Sequence, residues 1–111
     1  MKITTVSFLF SEGEHDLLND KQAVHDLLHD IVKVANLTPL DYSVHAFEPQ
    51  GLSATLILSE SHIALHTWPE DGTGYVLLSS CMQPDENFIP AASDLIQKAF
   101  RASVNTAKEL V

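Results

Sequence analysis

Two hydrophobic periodicities alternate along the chain and predict an ordered series of strands and helices. Over Lys2–Phe10, apolar residues alternate with small or polar ones, which is typical of a half-buried strand. Beyond Asn19 or Asp20, either of which can cap a helix, apolar residues recur every three or four positions. This second pattern predicts an amphipathic helix that ends at about Asn36.

The remaining sequence predicts four further strands and a closing helix. They are, approximately, the strands Tyr42–Glu48, Ser53–Leu58, His62–Thr67 and Gly74–Cys81 and the helix Pro90–Leu110. The predicted order is therefore β-α-β-β-β-β-α. Because the connections between the later strands are short, they favour antiparallel pairing. We therefore predict the α+β class, as a two-layer sandwich with two helices on one face of an antiparallel sheet.

Apolar residues also occur where a second sheet face is expected, at Leu56, Leu58, Val76 and Leu78. Such a face would be buried most simply by a second copy of the chain. The pattern therefore predicts a homodimer with twofold symmetry.

The composition favours one acidic globular domain spanning residues 1–111. The chain is 45% hydrophobic, contains only 4 Gly and 5 Pro, and carries a formal charge of −9. This charge disfavours binding to nucleic acids or anionic membranes. It would attract small cations, but acidity that serves solubility alone is the simpler interpretation. The lone cysteine, Cys81, excludes an internal disulfide. Since the sequence has neither a signal-peptide pattern nor a long apolar run, we expect a cytoplasmic protein.

Reactive side chains are densest between Leu58 and Glu70. Ser61 lies between Glu60 and an imidazole, and a second imidazole, His66, follows five residues later. A serine hydrolase would need a glycine-flanked elbow and an oxyanion hole, and no such pattern surrounds this serine. From spacing alone, an amphipathic strand with polar residues on one side is the simpler interpretation.

The literal sequence of this segment adds a family resemblance. The matching stretches are Glu60-Ser61-His62, His66-Thr67-Trp68-Pro69-Glu70, Cys81 and the upstream His45-Ala46-Phe47-Glu48-Pro49-Gln50-Gly51. Together they resemble the short prokaryotic S-adenosylmethionine decarboxylases, most strongly from about His45 to Cys81. These are pyruvoyl-dependent enzymes of polyamine biosynthesis, made by self-cleavage of a proenzyme.

The resemblance implies that Ser61 attacks the carbonyl carbon of Glu60 and that the chain then breaks between them. The products would be residues 1–60 and residues 61–111, the second beginning with a pyruvoyl group derived from Ser61. In this scheme His66 is the processing base, and Ser53 helps to hold the intermediate. Cys81 is the proton donor in decarboxylation, a role that suits a thiol, which is mostly protonated at neutral pH.

The resemblance also implies substrate contacts at Phe47, by stacking on the nucleoside or the sulfonium, and at Glu70. Asp71 and Thr73 occupy places where family members usually have aromatic residues. Relatives of the family are associated with ornithine or arginine decarboxylation, and Asp71 beside Glu70 suggests a cation site for such a substrate. The sequence thus leaves three functions open: decarboxylation of S-adenosylmethionine, the same chemistry on a basic amino acid, and a non-catalytic relative that acts as a binding or regulatory subunit.

His25 and His29 lie one helical turn apart, a spacing that can hold a metal. The sequence offers no evident third ligand. A solvated helix face is therefore the favoured interpretation, and we predict no metal site.

Overall fold

The computed structural model describes residues 2–110 as one layer of helices on one sheet. The strands are β1 (Thr4–Ser11), β2 (Pro39–Ala46), β3 (Leu52–Leu58), β4 (Ser61–Trp68), β5 (Thr73–Ser80) and β6 (Ser103–Glu109). The helices are α1 (His15–Leu18), α2 (Lys21–Val34) and α3 (Phe88–Phe100).

The six strands form one sheet in the order β2-β3-β4-β5-β1-β6, and all neighbours are antiparallel. Alternate side chains of each central strand face the helices and are buried, as Phe8 of β1 and Leu65 of β4 illustrate. Phe10 stacks on Phe100 of α3 at a centroid distance of 5.3 Å. The α+β class and the antiparallel sheet predicted from the sequence are confirmed.

The longest helix begins where the sequence places its cap. The Asp20 carboxylate accepts hydrogen bonds from the backbone N–H groups of Gln22 and Ala23 at 2.9 and 3.2 Å. A cap of this kind contributes about 1 kcal/mol to helix stability. Positions along α2 that repeat with the helical period, among them Leu28 and Ile31, are fully buried against the sheet.

The predicted closing helix is wrong in its second half. α3 ends at Phe100, because Arg101 adopts the left-handed conformation (φ 53°). The chain then forms β6, which pairs with the β1 edge left free by β5. The β-branched Val104 and Thr106 favour this extended conformation, and the strand gains inter-strand hydrogen bonds with β1, with one register shift between Leu9 and Phe10. The prediction also missed α1, a single turn in the segment between β1 and α2.

The four residues predicted to form a second apolar sheet face do not lie on it. Leu56, Leu58, Val76 and Leu78 are all buried on the helix-covered face, where the helical layer supplies their apolar contacts. The opposite face, which we call the open face, is nevertheless partly apolar. Its exposed large side chains are Leu9, Ile57, Trp68 and Tyr75. Among the helices of the described chain, none has the length and apolar character needed to cross a membrane.

Candidate active site

Ser61 begins β4 at the end of a tight turn that leads out of β3. Ser59 and Glu60 form the turn, and Glu60 has a φ of 63°. The left-handed region costs an L-residue other than glycine about 1 kcal/mol, so the residue preceding Ser61 is held in a strained conformation. Ser61 pairs with Ser80 of β5, and its hydroxyl donates a hydrogen bond to the Ser80 hydroxyl at 3.2 Å.

Cys81 follows directly after β5 and lies beside the same turn. Its Sγ is 3.8 Å from Oε2 of Glu60, within the longer range of sulfur hydrogen bonds. Both residues line a cavity of about 290 Å³ together with Ser61. One end of the sheet therefore brings together Glu60, Ser61 and Cys81. We call this group the cleavage cluster.

A second group of polar residues lies further along the same strands. Ser53 of β3 and His66 of β4 are paired in register, and their side chains are joined by a hydrogen bond of 2.7 Å between Oγ and Nδ1. They line a cavity of about 390 Å³ that Phe47 and Glu70 also line. We call these four residues the histidine cluster.

The two clusters are separate within one chain. Ser61 and His66 are five residues apart on a continuous strand, which corresponds to about 16 Å at about 3.3 Å per residue. Side chains of a strand alternate between faces, so an odd separation places these two on opposite sides of the sheet. Ser61 lies two residues before the buried Ile63, so its side chain points to the helix-covered face, whereas His66 lies on the open face. Its imidazole therefore cannot reach the Ser61 hydroxyl of its own chain.

Aromatic rings surround His66 on the open face. Its ring centroid is 5.0 Å from that of Tyr75 and 6.5 Å from that of Trp68, and those two rings stack at 6.0 Å. Trp68 and Tyr75 are 43% and 36% exposed. Two large aromatic residues that are this exposed on a sheet face indicate a surface suited to a partner or a ligand.

The turn between β2 and β3, residues 47–51, forms one wall of the cavity that the histidine cluster lines. Hydrogen bonds to the end of α1 and to β4 hold this turn in place. The backbone N–H of Gly51, a residue with φ 104°, donates to the Asn19 side-chain oxygen at 2.9 Å. The buried Thr67 hydroxyl accepts a bond from the Leu52 N–H at 3.0 Å and donates to the Leu18 carbonyl at 2.8 Å. These contacts tie the turn to the end of α1.

A histidine on α1 also reaches this turn. Nε2 of His15 lies 2.6 Å from Oε1 of Gln50, which lines the same cavity. The hydrogen bond to Gln50, and next the one to Asp16, raise the pKa of His15 above its ordinary value. Protonation of His15 thus strengthens a contact at the cavity wall.

The predicted substrate residues separate in the structure. Phe47 is 49% exposed, and Glu70 lies at the turn after β4; both line the cavity of the histidine cluster. Asp71, also in that turn, is exposed and lies outside the residues that line this cavity. The suggested carboxylate pair therefore rests on adjacency in the sequence alone.

His25 and His29 stack on each other on α2, with ring centroids 4.1 Å apart. Nδ1 of His25 contacts the Asp26 carboxylate, whose pKa is lowered by this hydrogen bond, and Nδ1 of His29 contacts the His25 carbonyl. Within residues 2–110, no group of three or more His, Cys, Asp or Glu side chains has a geometry that could hold a metal ion.

Sequence reasoning missed three residues that support these clusters. Ser80 contacts Ser61 across the sheet, Thr67 fixes the cavity wall, and Tyr75 packs on His66. The signal for Ser80 was its position directly before Cys81 on a predicted strand, but the register that pairs it with Ser61 depends on the fold. Thr67 could have been noticed as a polar residue at a strand position whose side chain points to the buried face of the sheet.

Comparisons with known proteins place these clusters in context. Residues 5–111 match the family model described as S-adenosylmethionine decarboxylase. The chain is 34% identical over 95 residues to the S-adenosylmethionine decarboxylase proenzyme of Thermodesulfovibrio yellowstonii, covering 86% of this chain and 69% of the relative. It is 35% identical over 94 residues to the S-adenosylmethionine decarboxylase proenzyme of Carboxydothermus hydrogenoformans, covering 85% of this chain and 72% of the relative.

A solved structure has the same fold. The crystal structure of the adenosylmethionine decarboxylase from Aquifex aeolicus matches with a TM-score of 0.76 and 25% identity, covering 97% of this chain and 86% of that one. The similarity extends over nearly the whole described fold, including the strands that carry both clusters.

Proposed function

This chain belongs to the S-adenosylmethionine decarboxylase family, and we propose that it is a self-processing, pyruvoyl-dependent decarboxylase whose substrate is S-adenosylmethionine. The observation that carries the proposal is the cleavage cluster. A serine follows a strained glutamate in an exposed turn, and a cysteine lies 3.8 Å from that glutamate. The relatives are named proenzymes, which supports a chain that is cut before it acts.

Self-cleavage would use only the atoms of this turn, a base and a water molecule. Oγ of Ser61 attacks the carbonyl carbon of Glu60, the C–N bond breaks, and the proton from Oγ ends on the Ser61 nitrogen. The resulting ester loses the α-proton of Ser61 and expels the Glu60 carboxylate, which leaves a dehydroalanine. Water then adds and ammonia departs, so that chains of 60 and 51 residues remain, the second beginning with a ketone.

The residues present fit the formation of a pyruvoyl group at position 61. Release of a strained turn would allow the two new ends to separate, and the neighbouring cavity of about 290 Å³ leaves room beside the ketone. The pyruvoyl group supplies an electron sink for decarboxylation. Cys81 lines the same cavity and would deliver a proton to the substrate carbon that has lost carbon dioxide.

The distance between the clusters supports an active site that two chains share. Suppose that two sheets face each other and that the twofold axis lies between them, perpendicular to β4 and beside Ile63 and Ala64. Position 66 of one chain would then lie opposite position 61 of the other. His66 and Ser53 of the partner subunit would then lie on the open side of the strand end that carries Ser61, where the imidazole could take the Ser61 α-proton while the Ser61 hydroxyl faces the helices. The exposed Leu9, Ile57 and Tyr75 supply apolar contacts for such a sheet-to-sheet interface.

The histidine cluster also offers contacts for a cationic nucleoside. The half-exposed ring of Phe47 can stack on a base or lie against a sulfonium, and the Glu70 carboxylate can pair with a cationic group. A net charge of −9 would attract such a substrate over a longer range. In the shared site, this cavity and the ketone of the other chain would bind opposite ends of one substrate molecule.

The test measures carbon dioxide release from carboxyl-labelled S-adenosylmethionine, ornithine and arginine in parallel. The wild-type protein should decarboxylate S-adenosylmethionine with the highest kcat/KM, and the Ser61→Ala variant should release nothing from any of the three. Turnover confined to ornithine or arginine would overturn the proposed substrate. No turnover of any substrate by fully cleaved protein would favour a binding or regulatory relative.

A further inference from the structure

On the helix-covered face, one end of the sheet carries a row of three hydroxyl groups. The row runs across β1, β5 and β4 and consists of Thr4, Ser80 and Ser61. All three side chains point to the face of the sheet that the helices cover. Thr4 and Ser80 are each only 2% exposed. Buried hydroxyl groups require hydrogen-bond partners, so the partners of this row indicate what each hydroxyl does.

Ser80 has two donors directed at one oxygen. Its Oγ accepts the Met82 backbone N–H at 3.0 Å and the Ser61 hydroxyl at 3.2 Å. The bond from Met82 fixes the Ser80 rotamer, because the donor belongs to the backbone two residues later. The Thr4 hydroxyl points elsewhere, donating to Oε1 of Gln83 at 3.0 Å. The row therefore contains one hydroxyl that contacts Ser61 and one of equal burial that does not.

We propose that Ser80 is a positioning residue for self-cleavage, which selects the Ser61 side-chain rotamer from which its oxygen attacks. This inference rests on the proposed function. A serine side chain has three staggered rotamers, and a partner for the hydroxyl favours one of them. At 3.2 Å the bond is longer than the 2.7–2.8 Å typical of hydroxyl pairs, so it can persist and shorten while the Ser61 oxygen attacks the carbonyl.

The role of Ser80 is confined to one step. Once the ester has formed, Oγ of Ser61 is bonded to the Glu60 carbonyl carbon and has no proton to donate. Loss of the Ser80 hydroxyl should therefore slow ester formation and leave the breakdown of the ester unaffected. A general loosening of the fold would have no reason to act on the first step alone, which gives a readout that separates positioning from mere structural support.

The experiment follows cleavage of the whole chain during a pulse-chase in cell-free translation. The wild type is compared with Ser80→Ala, Ser80→Thr and the matched control Thr4→Val, with and without hydroxylamine, which cuts the ester intermediate. We expect the precursor of Ser80→Ala to persist about 5- to 10-fold longer, the effect of one modest hydrogen bond, without added hydroxylamine-sensitive ester. Ser80→Thr retains a hydroxyl and should restore most of the rate, and Thr4→Val should cleave as the wild type does.

Each outcome decides a separate claim. Cleavage of Ser80→Ala at the wild-type rate, or accumulation of its ester, would overturn the role of Ser80 while leaving self-cleavage intact. Equal slowing in Thr4→Val would also overturn it, because a nearby buried hydroxyl would then matter as much. If the wild-type chain itself does not cleave, the proposed function fails instead. Thermal unfolding of each Ser61→Ala double variant reports folding without interference from cleavage.

Discussion

The Ser53 hydroxyl and Nδ1 of His66 lie 2.7 Å apart on neighbouring strands, in register with each other. About 16 Å of strand nevertheless separates His66 from Ser61. The side chains that the family resemblance links to one processing event therefore lie in two places on one chain. In the proposed dimer, a second copy that faces the open side of the sheet would bring its own His66 to the strand end that carries Ser61.

Complementation between two defective chains tests that arrangement. Neither His66→Ala nor Ser61→Ala should cleave alone, because the first lacks the processing base and the second lacks the nucleophile. When both chains are co-expressed with different tags, the His66→Ala chain should be cut, since the Ser61→Ala partner supplies an intact His66. Tag-specific mass spectrometry distinguishes the chains. Cleavage of neither chain, in a mixed dimer verified by pull-down through both tags, would contradict a shared site.

A charge placed on the open face should prevent dimer formation and, with it, cleavage. Tyr75 is 36% exposed, so Tyr75→Lys should fold but place an unpaired ammonium in the proposed interface. We expect a monomer by sedimentation analysis and a precursor that remains largely intact. Val34→Lys is the matched control, because Val34 is 41% exposed on α2, away from the open face. A Tyr75→Lys variant that cleaves fully as a monomer would count against the interface.

Replacement of Cys81 should separate cleavage from catalysis. In Cys81→Ser a poor acid replaces the thiol, so we expect normal cleavage and a kcat lower by about 10²- to 10⁴-fold, the usual contribution of a general acid. Intact mass first establishes that processing is complete, and carbon dioxide release is then normalised to the content of reactive ketone. A kcat close to that of the wild type would remove Cys81 from the reaction.

The His15–Gln50 contact should weaken as the pH rises. The side-chain oxygens of Gln50 and Asp16 accept hydrogen bonds from the His15 ring and raise its pKa above its ordinary value of 6.5, so the charged form is stabilised in the folded state. Its contribution is therefore fully present below pH 6.5 and is lost as the pH passes through the folded-state pKa. An NMR titration of the His15 ring should give a pKa above 6.5, and Gln50→Leu should shift it downward. A titration unchanged by Gln50→Leu would show that Gln50 is not the cause.

Local patterns predicted the parts of the fold that depend on local preferences. Asn19 or Asp20 was predicted to cap α2, and Asp20 does so through hydrogen bonds to nearby backbone N–H groups, an interaction that needs no tertiary contact. Val104 and Thr106 show the limit. Their β preference was outweighed in the sequence by helix-like spacing, and only the free edge of β1 decides that they form a strand.

The candidate site shows the same division. Glu60, Ser61 and Cys81 were predicted from a family resemblance, and the turn and the β4–β5 register do bring them together. Side chains five residues apart on one strand point to opposite faces of the sheet. Once residues 61–66 are placed on a strand, the sequence therefore predicts the separation of Ser61 from His66. The contact of Ser80 with Ser61 was not, because strand register arises from the whole sheet.

The central claim is that the backbone between Glu60 and Ser61 breaks by itself and leaves a ketone. Intact-mass measurement of the purified protein under denaturing conditions tests it most directly. We predict two fragments, of 60 and 51 residues, with the second labelled by a carbonyl reagent and lacking an N-terminal amine, whereas Ser61→Ala remains a single chain. A wild-type protein that persists as one unlabelled chain of 12.2 kDa would contradict the account.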